Sequence, residues 1–136
     1  MIVIDASIAL KWILTEEANQ EAAQKILQNH VKGKDEIVIP SLLLMEYANI
    51  LVTKSRLTEA KIKEGLELIN EANLRIYSFS KRDLLETSIM ARKHKTTFYD
   101  MLYAVVAKRN KAILVTADEN FIKKTGFKFV RHIKNL

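Results

Sequence analysis

At 136 residues, 49% apolar and 28% charged, the chain can bury one core as a globular domain, and no apolar run approaches the roughly 20 residues of a membrane span. Three Gly and one Pro leave little for linkers or β-turns, and the absence of Cys excludes disulfides and thiolate metal sites. The net charge of +6 is uneven, with 6 basic and 8 acidic residues in the first 60 and 16 and 8 thereafter, so the later part is either a docking surface for RNA or DNA or a solvated lysine-rich face.

Met1–Ile4 reads as a buried strand, followed by a helix around Ser7–Leu14. Thr15 is expected to cap the next helix, with Glu16 and Glu17 in its first turn, and that helix runs to about Val31. Gly33-Lys34-Asp35 turns the chain into a short strand, Glu36–Ile39. Pro40-Ser41 then opens LLLMEYANILV, a helix apolar on nearly every side and so expected to be buried.

Thr58 and Glu59 start a helix to about Glu71, and Leu74–Phe79 suits a strand. Ser80 caps a helix through about His94, and Thr96 or Thr97 begins another, FYDMLYAVVAKRN. Ala112–Val115 is a further buried strand, TADENFIKK ends it and starts a short helix, and Phe127–Val130 is expected as a last strand. Short apolar strands alternating with helices imply an α/β fold whose parallel sheet is covered on both faces. Ligands of such sheets bind beyond the carboxyl ends of the strands. Asp5 follows the first strand and Asp118 follows AILVT, so both reach one sheet edge if those strands are neighbours.

Two further acids lie in apolar company, Glu46 inside LLLMEYANILV and Asp100 inside FYDMLYAVVA. A buried carboxylate is costly unless it is paired or holds a metal. Helical spacing puts Glu46 on a face with Leu42, Leu43 and Asn49, and Asp100 with Thr96, Thr97 and Tyr103. Each acid alone has an ordinary reading: Asp5 and Asp118 as helix caps, Glu46 as an acid on a partly exposed helix face, Asp100 as a partner of a lysine. Gathered at one edge, the four would repel one another, and a divalent cation removes that penalty. Oxygen donors without Cys or clustered His favour Mg²⁺ or Mn²⁺ over zinc.

Other features carry less. His30, His94 and His132 lack metal-ligand spacing, Trp12 suits core or interface, and Asp83 and Glu86 read as ordinary first-turn acids. No glycine-rich phosphate loop is present. Ser7, Thr116 and Asn120 flank the strand-end aspartates and could hold water beside a metal or simply cap helices. The N-terminus lacks the layout of a signal peptide, so the cytoplasm is the expected compartment.

DASIALKWIL, PSLLLMEYANIL, FYDMLYAVVAKRN and LVTADENF, in this order and across nearly the whole chain, resemble the PIN-domain family, and within it the VapC-type toxins of toxin–antitoxin pairs. The resemblance implies a single PIN domain over residues 1–136, Rossmann-like, with a central parallel sheet ordered 3-2-1-4-5 and flanked by helices. It implies a Mg²⁺-dependent endoribonuclease in which Asp5, Glu46, Asp100 and Asp118 bind metal and act in catalysis, with Ser7, Thr116 and Asn120 as supporting polar residues. Hydrolysis by a metal-activated water leaves 5′-phosphate and 3′-hydroxyl ends. The implied partners are RNA, a VapB-type antitoxin that blocks the acidic site, and a second copy in a homodimer, with the helices at Leu42–Leu57 and Thr58–Ile69 as candidate surfaces. An RNA-processing PIN nuclease without an antitoxin, or a non-catalytic nucleic-acid-binding module, are the rival readings. A phosphoacceptor domain would need an acidic pair at the first strand and a lysine after a late one, which DAS and TADEN do not supply.

Overall fold

The structure, a computed structural model, describes residues 1–14, 17–54 and 56–136. Strands β1 (Ile2–Ile4), β2 (Ile37–Pro40), β3 (Arg75–Tyr77), β4 (Ile113–Thr116) and β5 (Val130–His132) form one sheet, parallel throughout, in the order β3-β2-β1-β4-β5. Helices α1 (Ala6–Leu10), α2 (Gln20–Val31), α3 (Leu42–Thr53), α4 (Glu59–Glu71), α5 (Lys81–His94), α6 (Phe98–Arg109) and α7 (Glu119–Thr125) connect the strands and cover the sheet. This is the α/β architecture and strand order expected. The three inner strands are buried because helices lie on both faces: Val3, Ile4, Ile37, Val38, Ile39, Leu114 and Val115 are in the core. The β1–β4 register pairs Ile4 with Val115, so Asp5 and Thr116 emerge together at the carboxyl edge.

Helix α6 lies against β1, β2 and β4, and every residue from Met101 to Ala107 is buried. Its N-terminus is fixed by Thr97, whose hydroxyl accepts the Asp100 N–H at 3.1 Å. Thr58 and Ser80 cap α4 and α5 in the same way, as expected of a hydroxyl before a helical run. Trp12 is a core residue, its indole N–H donating to the Ala23 carbonyl at 2.9 Å. No helix among the described residues is long and apolar enough to cross a membrane.

Several expectations are corrected. Helix α3 is not buried all round: Leu43, Tyr47 and Leu51 form the buried stripe, while Met45 and Val52 are 63% and 68% exposed. An all-apolar helix does not say which face will be covered, and here α1, α4 and β2 pack against α3 while Met45 and Val52 stay exposed. Pro40 closes β2 rather than opening α3, and Ser41 makes no side-chain cap. The first helix stops at Leu10, and the second begins at Gln20 after Asn19, a residue with positive φ; the expected cap at Thr15 and first-turn Glu16 lie outside the described residues. The last strand is Val130–His132, not 127–130, because an edge strand paired only with β4 tolerates polar residues. Phe127 and Phe129 stack beside it with ring centroids 5.2 Å apart.

Asp83 is more than a first-turn acid. It is 3% exposed and accepts from Arg109 Nε at 2.8 Å, Tyr77 Oη at 2.9 Å and Ser80 N at 2.9 Å. Burial alone would raise this carboxyl, but those donors outweigh it and hold it at about 2. Glu86 completes the group through Lys108 and Arg109, tying α5 to the end of α6.

Candidate active site

Asp5 is at once a helix cap and the centre of a strand-end cluster. Its Oδ1 accepts from the Ile8 N–H at 3.3 Å and from Ser7 Oγ at 2.5 Å, and its Oδ2 accepts from Thr116 Oγ1 at 2.5 Å. Thr116 in turn accepts the Asp118 N–H at 3.0 Å, and Ser7 accepts the Ala117 N–H at 3.3 Å. Asp118 caps α7 through the Phe121 N–H at 2.9 Å. The adjacent ends of β1 and β4 are thereby joined through Asp5, Ser7, Thr116 and Asp118. Capping and site-building are compatible because a cap uses one lone-pair direction of a carboxylate that has several.

Asp100 stands in the first turn of α6 and Glu46 in the second turn of α3. Glu46 Oε2 accepts a hydrogen bond from the Tyr103 hydroxyl at 2.5 Å. Asp5, Glu46 and Asp100 have raised pKa values, each chiefly because burial strips water from the charged form. In Asp5 the bonds from Ser7, Thr116 and Ile8 work against that rise, and the Asp100 charge adds to it. The Tyr103 bond opposes the rise in Glu46, and Asp100 again adds to it. Asp100 is held back by Thr97 and Lys124 and pushed up by Asp118. Asp100 is therefore the electrostatic hub, felt by Asp5 and Glu46 and itself feeling Asp118.

A cleft of about 420 Å³ between the N-terminus of α6 and α7 is lined by Asp100, Asp118, Asn120, Thr96, Lys95 and Lys124. Asn120 is exposed at its rim. The Lys124 ammonium donates to the Lys95 carbonyl at 2.9 Å, so the two lysines stand together on one wall. A larger apolar groove of about 750 Å³ lies between α4 and the β2–β3 edge, and none of the four acids lines it. Charge, not cavity size, marks the candidate site.

The donors suit a hard divalent cation: they are carboxylates and hydroxyls, three of the carboxyls (Asp5, Glu46 and Asp100) are raised chiefly by burial with a contribution from neighbouring carboxylates, and no Cys competes. Among the described residues, no three His, Asp or Glu side chains gather closely enough to hold an ion as they stand. The arrangement is thus a set of acids in electrostatic contact rather than a closed cage. Sequence reasoning placed Tyr103 on the Asp100 face but gave it no role, because a tyrosine within an apolar helix reads as core. It also left Lys95 and Lys124 within a general basic surface. Their signal was position: Tyr103 lies three residues beyond Asp100.

The family model described as PIN domain matches residues 2–127. A search of curated proteins gives no match. Among solved structures, the chain is similar to PAE2754 from Pyrobaculum aerophilum, with 23% identity, a TM-score of 0.74, and 98% of this chain and 91% of that chain covered. It is also similar to VapC20 from Mycobacterium tuberculosis, described as a sarcin-ricin loop cleaving toxin, at 14% identity and TM-score 0.70 over 96% and 99% of the two chains. VapBC2 from Rickettsia felis, bound to a DNA fragment from its promoter, gives 18% identity and TM-score 0.73 over 97% and 98%. At such identities the likeness is one of fold.

Proposed function

The chain belongs to the PIN domain family, and from that premise we propose that it is a divalent-metal-dependent endoribonuclease, the toxin of a VapBC-type toxin–antitoxin pair. The observation that carries this reading is the pair of partly buried acids Asp5 and Glu46, which feel the charge of the solvent-facing Asp100, beside a cleft lined by Asp100, Lys95 and Lys124. Acids raised in this way have a use for a cation, and a lysine wall has a use for phosphate. The likeness to VapC20, described as a sarcin-ricin loop cleaving toxin, and to a toxin–antitoxin complex from Klebsiella pneumoniae supports the toxin reading and an antitoxin as partner.

In this reading Asp5 and Asp100, with Asp118 beside them, bind Mg²⁺ or Mn²⁺, and Glu46 completes the acidic set. When bound, the cation supplies charge neutralisation at the phosphate and acidifies water. Ser7 and Thr116 hold both Asp5 oxygens in place, so the carboxylate is preorganised on a rigid strand end. Lys95 and Lys124 hold phosphates flanking the scissile one, which positions RNA without reading its sequence. Because water rather than the ribose hydroxyl attacks, products carry 5′-phosphate and 3′-hydroxyl ends. The exposed Met45 and Val52 of α3, and Leu85 and Ile89 of α5, offer apolar surface for the homodimer of this reading, which places the protein in the cytoplasm.

The test is cleavage of end-labelled RNA by wild type and Asp5→Asn at matched stability, with Mg²⁺ and with chelator. Cutting that needs both Asp5 and Mg²⁺ and leaves 5′-phosphate ends is the expected result. Activity that survives chelation sinks the reading. Metal binding without cleavage of any RNA would favour a binding module, and cleavage that no co-encoded small protein inhibits would favour an RNA-processing nuclease.

A further inference from the structure

We propose that Tyr103 is a positioning residue of the acidic site: its buried hydroxyl takes up Oε2 of Glu46 and leaves Oε1 as the oxygen with which Glu46 meets a divalent cation. The inference rests on the nuclease reading only in taking a cation as the ligand.

Three observations and one physical argument carry it. Tyr103 is 2% exposed within the wholly buried run Met101–Ala107, so packing fixes the ring and leaves the hydroxyl little freedom. A hydroxyl in so apolar a stretch costs free energy unless it has a partner, and a phenylalanine would fill the same space without that cost. The partner is the Glu46 carboxylate at 2.5 Å, which joins α6 to α3 across 57 residues of sequence. Tyr47, the other fully buried tyrosine, bonds instead to the Gly65 backbone carbonyl and so latches α3 to α4, a purely architectural use of the same group.

The chemistry of the donor matters as much as its place. A phenol orients a carboxylate without neutralising it, whereas a lysine or arginine there would compete with a cation. Among the described residues, no such ion pair to Glu46 is formed. Helix α6 thus presents Asp100 directly and governs Glu46 indirectly from one turn further along.

The experiment compares wild type, Tyr103→Phe, Glu46→Gln and the double variant by Mn²⁺ titration followed by electron paramagnetic resonance, with urea midpoints to match stability. Tyr103→Phe should weaken Mn²⁺ binding about tenfold or more, in the range of an outer-shell hydrogen bond to a metal ligand. In the Glu46→Gln background the Tyr103 change should have no further effect, because the two act as one unit. A Tyr103→Phe affinity within twofold of wild type overturns the inference, as does an equal loss in the Glu46→Gln background. A purely structural role would move the urea midpoint and not the affinity. In unaltered protein, a slowly exchanging downfield hydroxyl proton of Tyr103 should shift on adding Mg²⁺, and a proton that does not respond counts against the proposal. Wild type that binds Mn²⁺ but cuts no RNA fails the nuclease reading while leaving this comparison intact.

Discussion

Asp100→Asn should make the metal-free protein more stable while abolishing cleavage. The Asp100 charge raises Asp5 and Glu46 and is itself raised by burial and Asp118, with only Lys124 and Thr97 acting in its favour. The Thr97 cap to the backbone N–H of residue 100 survives in asparagine, whereas the Thr97 contact that favours the charged Asp100 side chain is weakened and offsets part of the gain. A pair of unit charges 4 Å apart is worth about 1 kcal/mol in water and about 4 kcal/mol at an effective dielectric of 20. Because Asp100 reaches solvent, the low end applies, and relief of its repulsions less the Thr97 and Lys124 interactions leaves about 1 kcal/mol at most. For a chain of this length that is about 4 °C in Tm.

The pH dependence follows from the direction of the shifts. Carboxyls whose folded pKa lies above the unfolded value contribute stability below the unfolded value, near 4, and lose it as pH rises through the folded one. The wild type in chelator should therefore weaken as pH rises above about 4, and the gain from Asp100→Asn should grow in the same direction. Urea denaturation at pH 4 and pH 7.5 in chelator measures it. A variant no more stable than wild type at pH 7.5, or a gain undiminished at pH 4, refutes the claim that like charge strains this site. Adding Mg²⁺ at about ten times its Kd should stabilise wild type by about 1.4 kcal/mol and the variant by less.

Gly65→Ala should destabilise by about 1 kcal/mol in chemical denaturation, since its Cβ would lie 2.9 Å from the fully buried Leu51 Cδ1 and 3.2 Å from the Tyr47 hydroxyl, outweighing the better helix propensity. Asp83, held at about 2, should give up about 2 kcal/mol of stability as pH falls from near 4 to 2, and Asp83→Asn should flatten that acid limb of the urea-midpoint profile. Lys95→Ala and Lys124→Ala should each weaken RNA binding without changing base preference, and each should lower the slope of log affinity against log salt by about 1, read by filter binding across salt concentrations.

The local parts of this protein are legible in its sequence. Apolar runs gave β1, β2 and β4, hydroxyls ahead of helical runs gave the caps at Thr58, Ser80 and Thr97, and acids set in apolar company singled out Glu46 and Asp100. These signals are short-range, arising from a few residues whose spacing matches one strand or one helical turn. The edge strands β3 and β5 were less well bounded, because a strand with one hydrogen-bonded neighbour need not be apolar. Only tertiary structure decided which stripe of α3 is covered, that Asp83 is buried under Arg109, and that Thr116 and Tyr103 donate to Asp5 and Glu46. Those partners lie 111 and 57 residues apart in the chain. A hydrogen bond depends on tenths of an ångström between atoms that sheet register and helix packing bring together, and no local pattern encodes that meeting.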